Sequence, residues 1–170
     1  MKRNLVVIFV LLIFIVSCDL TNDINKKKVS VEFNKIKLNT EKLLWDSSKP
    51  NNYQYIITNA AFEAEYLPIN ALVIIEDGQY KNQEPNTQYG TVPEDYRTID
   101  KIYKTIENNF KKFNNSEQSK NDYYLKKIIV EYDEENHIPI KIEYFYHLPE
   151  NLMDTGSYWK YEIIDYIINE

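Results

Sequence analysis

The hydrophobic pattern of this 170-residue chain changes character several times, and each change marks an element. Leu5 to Val16 is apolar without interruption, and Lys2 and Arg3 precede it. A helix needs ~20 apolar residues to span a bilayer, so this short run reads as the hydrophobic region of an export signal rather than as a membrane span. From Asp19 to about residue 30 the sequence is polar and aperiodic, the pattern of a flexible tether. The remainder is long enough for one real core and too short for two comfortable domains. The expected organisation is a signal peptide over 1–17, a modified cysteine and tether over 18–30, and a single folded domain over 31–170.

Within that domain, Phe33, Ile36, Leu43 and Leu44 stand among good helix formers and predict a helix from Phe33 to Trp45, stopped by Asp46-Ser47-Ser48-Lys49-Pro50. Tyr53, Tyr55 and Ile57 alternate with Gln54, Ile56 and Thr58, the period of a half-buried strand. Ala71 to Ile75 reads the same way, and Asp77-Gly78 then suits a tight hairpin turn, with Gln79 to Lys81 as the return strand. After a loop containing Pro85, Gly90 and Pro93, Thr98 offers an N-cap hydroxyl, and Ile99, Ile102, Tyr103, Ile106, Phe110 and Phe113 recur at helical spacing. The polar stretch Asn114 to Asn121 ends that helix. Leu125 to Tyr132 and Pro139 to His147 predict two strands joined by Asp133-Glu134-Glu135-Asn136, and Tyr158 to Ile168 predicts a last one. This order implies an α+β fold, an antiparallel sheet with two helices packed on one face.

The chain's single cysteine changes the picture. Ile15-Val16-Ser17-Cys18 resembles the bacterial lipobox, in which an aliphatic residue, any residue and a small residue precede the cysteine that is acylated. A palmitate-type chain contributes ~0.8 kcal/mol per buried methylene, and several chains on one cysteine hold a protein stably. The expectation is a bacterial lipoprotein of the cell envelope, lipid-anchored through Cys18 on the extracytoplasmic side of a membrane. Asp19 resembles an inner-membrane retention signal of some two-membrane bacteria, and the choice between inner and outer membrane stays open. No second cysteine exists for a disulfide, so stability must come from packing.

Charge excludes one class of partner. The full chain carries a formal charge of −6, and removing residues 1–17 with Lys2 and Arg3 takes it to −8, which argues against nucleic acid. Lys26-Lys27-Lys28 either touches anionic lipid or is a solvated part of the tether.

Catalytic signals are thin. The sequence holds no G-x-S-x-G elbow, no phosphate-cradling glycine loop and no H-E-x-x-H. Its two histidines, His137 and His147, fall at opposite ends of one predicted strand, too far apart to share a metal. Asp133, Glu134 and Glu135 lack the spaced ligands and central glycine of a calcium loop. No catalytic residue, no metal ligand and no cofactor is expected.

The aromatics are the remaining candidates. Tyr144 and Tyr146 on one predicted strand, with Tyr158, Trp159 and Tyr161 on the next, bring several rings onto neighbouring strands. Either they fill a sheet in a tyrosine-rich sequence or some form an exposed strip for a protein or a glycan. The reading that follows is a non-enzymatic domain that binds an envelope protein through its sheet or the loop from Asn82 to Arg97. The alternative is a glycan- or small-ligand-binding module on the aromatic strip.

Several landmarks in order carry a family resemblance: Trp45, Tyr53-Gln54-Tyr55, Ile75-Glu76-Asp77-Gly78, Thr98-Ile99-Asp100, and Val130-Glu131-Tyr132-Asp133 with Pro139 and Ile142 beyond. From about Trp45 to Tyr166 the chain resembles bacterial lipoproteins and exported domains grouped as domain of unknown function 6174. That resemblance implies a fold and no activity. Two departures stand out: the family's Cys-x-Cys falls at Ala61-Phe62-Glu63, and its glycine two positions before the proline is His137. If that glycine serves a left-handed turn, His137 must adopt a positive φ or the turn is reshaped.

The anchor is directly testable. Changing Cys18→Ser is expected to move the protein from the detergent phase to the aqueous phase in a cloud-point partition, and a protein that stays in the detergent phase contradicts the lipobox reading.

Overall fold

The structure, a computed structural model, describes residues 26–61, 70–81, 92–119, 122–149 and 158–169. The signal segment, Cys18, most of the tether, Phe62-Glu63 and the first ten residues of the loop from Asn82 to Arg97 lie outside the described residues.

The helix called α1 here runs over Lys35–Ser48, and α2 runs over Ile99–Phe113. The strands are β1 (Lys27–Lys28), β2 (Tyr53–Ala61), β3 (Asn70–Glu76), β4 (Gln79–Lys81), β5 (Glu117–Gln118), β6 (Tyr124–Tyr132), β7 (Pro139–His147) and β8 (Tyr158–Ile168). A 3₁₀ turn, Glu94–Tyr96, precedes α2. Lys27 and Lys28, at the end of the predicted tether, pair with Gln118 and Glu117.

Local chemistry explains the helix starts. Thr98 Oγ1 accepts the Lys101 N–H at 3.1 Å, while Asp100 in the first turn and Lys111 and Lys112 in the last complement the helix dipole. Ile99, Ile102, Tyr103 and Ile106 form the buried stripe that their spacing predicts. At α1 the cap is Asn34, whose Oδ1 accepts the Lys37 N–H at 3.0 Å, so the helix begins after Phe33 and continues to Ser48.

The inward stripe of α1 does not include Ile36 or Leu43. Leu38 and Trp45 are buried, whereas Ile36 and Leu43 are 81% and 70% exposed. Each pair is seven residues apart and so forms a stripe, and the two-residue offset puts the stripes ~200° apart around the helix. Trp45 decides between them, since its large ring packs edge-on against Tyr53 at 5.6 Å between centroids.

All neighbours in the main sheet are antiparallel, in the order β4-β3-β2-β8-β7-β6. The Asp77-Gly78 turn takes φ of 51° and 71°, as the hairpin requires. The last strand of the chain lies between β2 and β7, which closes β2–β4 and β6–β7 into one sheet. Tyr53, Tyr55, Ile57, Val73, Ile75, Ile142, Tyr144 and Ile163 share the buried face. Both helices pack there, as rings from Trp45, Tyr103 and Phe113 meet Tyr53, Tyr132 and Tyr146. The fold is α+β, with its helices on one face.

One irregularity shapes the opposite face. Between Gln54 and Ile56 the register with β8 shifts, so Gln54 faces Ile167 and Ile56 faces Ile164 while Asp165 adopts φ 52°. This bulge turns Tyr166 toward Tyr53, 5.8 Å between centroids, and leaves Ile164 and Ile167 on the open side.

Truncating Ile106→Ala, a fully buried position, is expected to lower the unfolding free energy in a denaturant titration by ~2–5 kcal/mol. Leu43→Ala is expected to change it by less than ~0.5 kcal/mol, and equal losses at the two positions contradict the assigned face of α1.

Candidate functional site

The five aromatic candidates do not form one surface. Register places Tyr144 opposite Trp159 and Tyr158 opposite Phe145, so alternate residues of β8 point to opposite faces. Tyr144 is 2% exposed and belongs to the core. Tyr146, Trp159 and Tyr161 are half-buried against that core on the helix-covered face. Tyr161 stacks on Tyr96 of the 3₁₀ turn at 4.0 Å, and Tyr146 stacks on Tyr123 at 4.7 Å. Of the five, Tyr158 alone lies on the open face, where its hydroxyl donates to Glu143 Oε1 at 2.5 Å beside Phe145.

What occupies the open face elsewhere is aliphatic. Leu72, Ile56 and Ile164 stand in one row across β3, β2 and β8, and Ile74, Gln54 and Ile167 form the next row. Ile164 is 46% exposed and Ile167 is 49% exposed, and Ile56, Leu72 and Ile74 are half-buried. Beyond them, toward β7 and β6, the same face turns charged. Lys160 pairs with Glu162 at 2.6 Å, and Lys141 bridges Glu131 at 2.8 Å and Glu143 at 3.4 Å. The face is thus an apolar half bordered by self-compensated charge. Sequence alternation alone suggests part of it, but the bulge at Asp165 is what puts Ile164 and Ile167 on the same side.

Of the titratable side chains singled out from sequence, Asp133, His137 and His147 have contacts in the structure. Asp133 Oδ1 accepts from the backbone of Asn136 and Glu135 and from the Asn136 amide, and these bonds hold its carboxyl below the usual range. His137 sits at φ 57°, so the turn keeps its left-handed residue without glycine. Its Nδ1 is 2.9 Å from Glu41 Oε2 on α1, and its carbonyl accepts the Tyr103 hydroxyl. His147 stacks on Tyr124 at 4.6 Å. Among the described residues no group of three or more His, Cys, Asp or Glu side chains gathers with metal-binding geometry.

Burial pushes the Tyr144 hydroxyl up from 10.0 to about 12 and also raises Tyr55, Tyr96 and Tyr103. Raised folded-state values mean that stability is fully present below pH ~10 and is lost as the pH rises above it, because the unfolded chain releases these protons first. Thermal melts are expected to be level between pH 7 and 9 and to fall steeply above ~10, with a shallower fall in Tyr144→Phe; an unchanged slope contradicts the buried placement.

The landmarks that carry the family resemblance all fall on joints of this fold: Trp45 on Tyr53, the turn at Gly78, the cap at Thr98 and the β6–β7 turn. No curated protein and no solved structure matches the chain. Residues 37–162, well over half of its length, match the model of a family of unknown function (DUF6174), and the chain belongs to that family.

Proposed function

We propose that this protein is a bacterial lipoprotein, held by lipid on Cys18 at the extracytoplasmic side of a membrane, whose domain binds an envelope protein and catalyses no reaction. The anchor part rests on the sequence from Lys2 to Cys18. The binding part is supported by one observation, the aliphatic half of the open sheet face. Leu72, Ile74, Ile56, Ile164 and Ile167 form a continuous patch on three strands, with Gln54 and Thr58 between them and ion pairs at the border. An apolar centre inside a polar rim is the anatomy of a protein interface, and a patch of this kind left in water favours association.

The glycan- or small-ligand reading keeps only Tyr158 beside Phe145, since the other four rings of the strip lie on the helix-covered face. Stacking platforms for sugars need broad exposed rings, and the aliphatic patch offers none.

The test is in-cell crosslinking of the lipidated chain followed by pull-down and mass spectrometry, with Ile164→Asp alongside the wild type. One dominant protein captured in near-equal amount and lost in Ile164→Asp is the expected result. Capture unaffected by the substitution contradicts the open face as the binding surface, and recovery of cell-wall fragments without a protein favours the glycan module instead.

A further inference from the structure

β6 is an outer strand of the main sheet, and its outer edge is only partly used. In an antiparallel pair each residue's N–H and C=O point to the same side, alternating along the strand. Ile128 points outward, because its N–H donates to the Glu32 carbonyl at 3.0 Å, and the Glu32 N–H in turn donates to the Lys126 carbonyl at 2.9 Å. These two bonds are a one-residue parallel bridge. The ladder then stops, since Asn34 caps α1 and the chain turns away into the helix.

Two residues further along, Val130 must point outward as well. Its N–H and C=O, with the Ile128 carbonyl, meet no hydrogen-bond partner among the described residues. Beside them lies a groove of about 620 Å³ lined by Glu32, Phe33, Lys37, Lys127, Val130 and Tyr132. Its size falls within the range of small-ligand clefts.

Two cations line the groove, and they differ in their partners. Lys127 is committed to Glu32 at 2.7 Å. Lys37 is exposed, sits 5.5 Å from the centre of the Tyr132 ring, and forms no ion pair with a described residue. In a chain of net charge −6, Lys37 is an exposed cation at this groove, and its contact among the described residues is the Tyr132 ring.

We infer that the groove binds an extended peptide as an added strand on β6, continuing the ladder that Glu32 begins, with a carboxylate of the peptide against Lys37. Main-chain bonds to Ile128 and Val130 supply the register. Lys37 supplies the preference for an acidic side chain, and the Tyr132 ring and the Val130 side chain supply apolar contact for its neighbours. The site lies two strands away from the aliphatic half of the open face and does not depend on it.

The experiment is to pan a phage library of random heptapeptides against the full lipidated chain in detergent. Enriched peptides are expected to alternate apolar and polar positions and to carry Asp or Glu. Binding of an enriched synthetic peptide is expected to fall about tenfold in Lys37→Glu, which reverses an exposed charge and leaves the core untouched. It is expected to vanish in Val130→Pro, which removes one outward donor at an edge where proline is tolerated. Ile164→Asp should bind as the wild type does, and the peptide should slow exchange of the Val130 amide. Failure to enrich any acidic extended peptide overturns the inference, as does binding that Lys37→Glu leaves unchanged or that Ile164→Asp abolishes.

Discussion

A tyrosine buried on a sheet carries its hydroxyl into the core with it, and the layout of this protein depends on where those hydroxyls find backbone partners. Tyr55 on β2 is fully buried and donates to the Tyr96 carbonyl at 2.9 Å, in the turn just before α2. Its neighbour Tyr53 accepts the Ile99 N–H, one of the donors that a helix start leaves without an internal partner. Tyr103, from the middle of α2, reaches across to the His137 carbonyl in the β6–β7 turn. A buried polar group left unpaired costs ~1–3 kcal/mol, so these three bonds favour one placement of α2 over the sheet and penalise others. Trp45 then packs on Tyr53 and brings α1 to the same side. With both helices drawn to one face, no described helix covers the other.

That division explains what could be read from the chain and what could not. The hairpin at Asp77-Gly78, the cap at Thr98 and the buried stripe of α2 are local devices, each announced by a few adjacent residues, and all three are present. The face of α1 was not legible, because Ile36 and Leu43 form as good an apolar stripe as Leu38 and Trp45, and only the position of Tyr53 chooses between them. The aromatic strip was ambiguous for a related reason. Period two says that Tyr144 and Tyr146 share a face, and that Trp159 and Tyr161 share one, but neither how the two strands register nor which face the helices cover. The bulge at Asp165 has no glycine to announce it, and it alone sends Tyr166 inward and Ile167 outward. The free length of the β6 edge depends on where Asn34 ends a distant pairing, which is a property of tertiary structure.

The tyrosine content therefore has a structural meaning before a functional one. Five tyrosines, at 53, 55, 96, 103 and 144, are among the buried residues and do the work that larger aliphatic cores do elsewhere. In a chain whose single cysteine stands at position 18, no disulfide supports that core. The surfaces left for recognition are the complement of the tyrosine core: an aliphatic half-face bordered by ion pairs, and a strand edge with backbone groups still directed outward. Both are surfaces of the kind that the proposed binding role would use.

In the proposed role the helix-covered face is closed and the opposite face receives a partner. Photochemical carbene footprinting of the lipidated chain, once purified in detergent and once in isolated envelope membranes, tests it most directly. The account predicts strong labelling of Ile56, Leu72, Ile164 and Ile167 in the purified protein and its loss in the membranes, with Tyr55 and Ile106 unlabelled in both. Equal labelling of the open face in the two preparations, or labelling of the core positions in either, contradicts it.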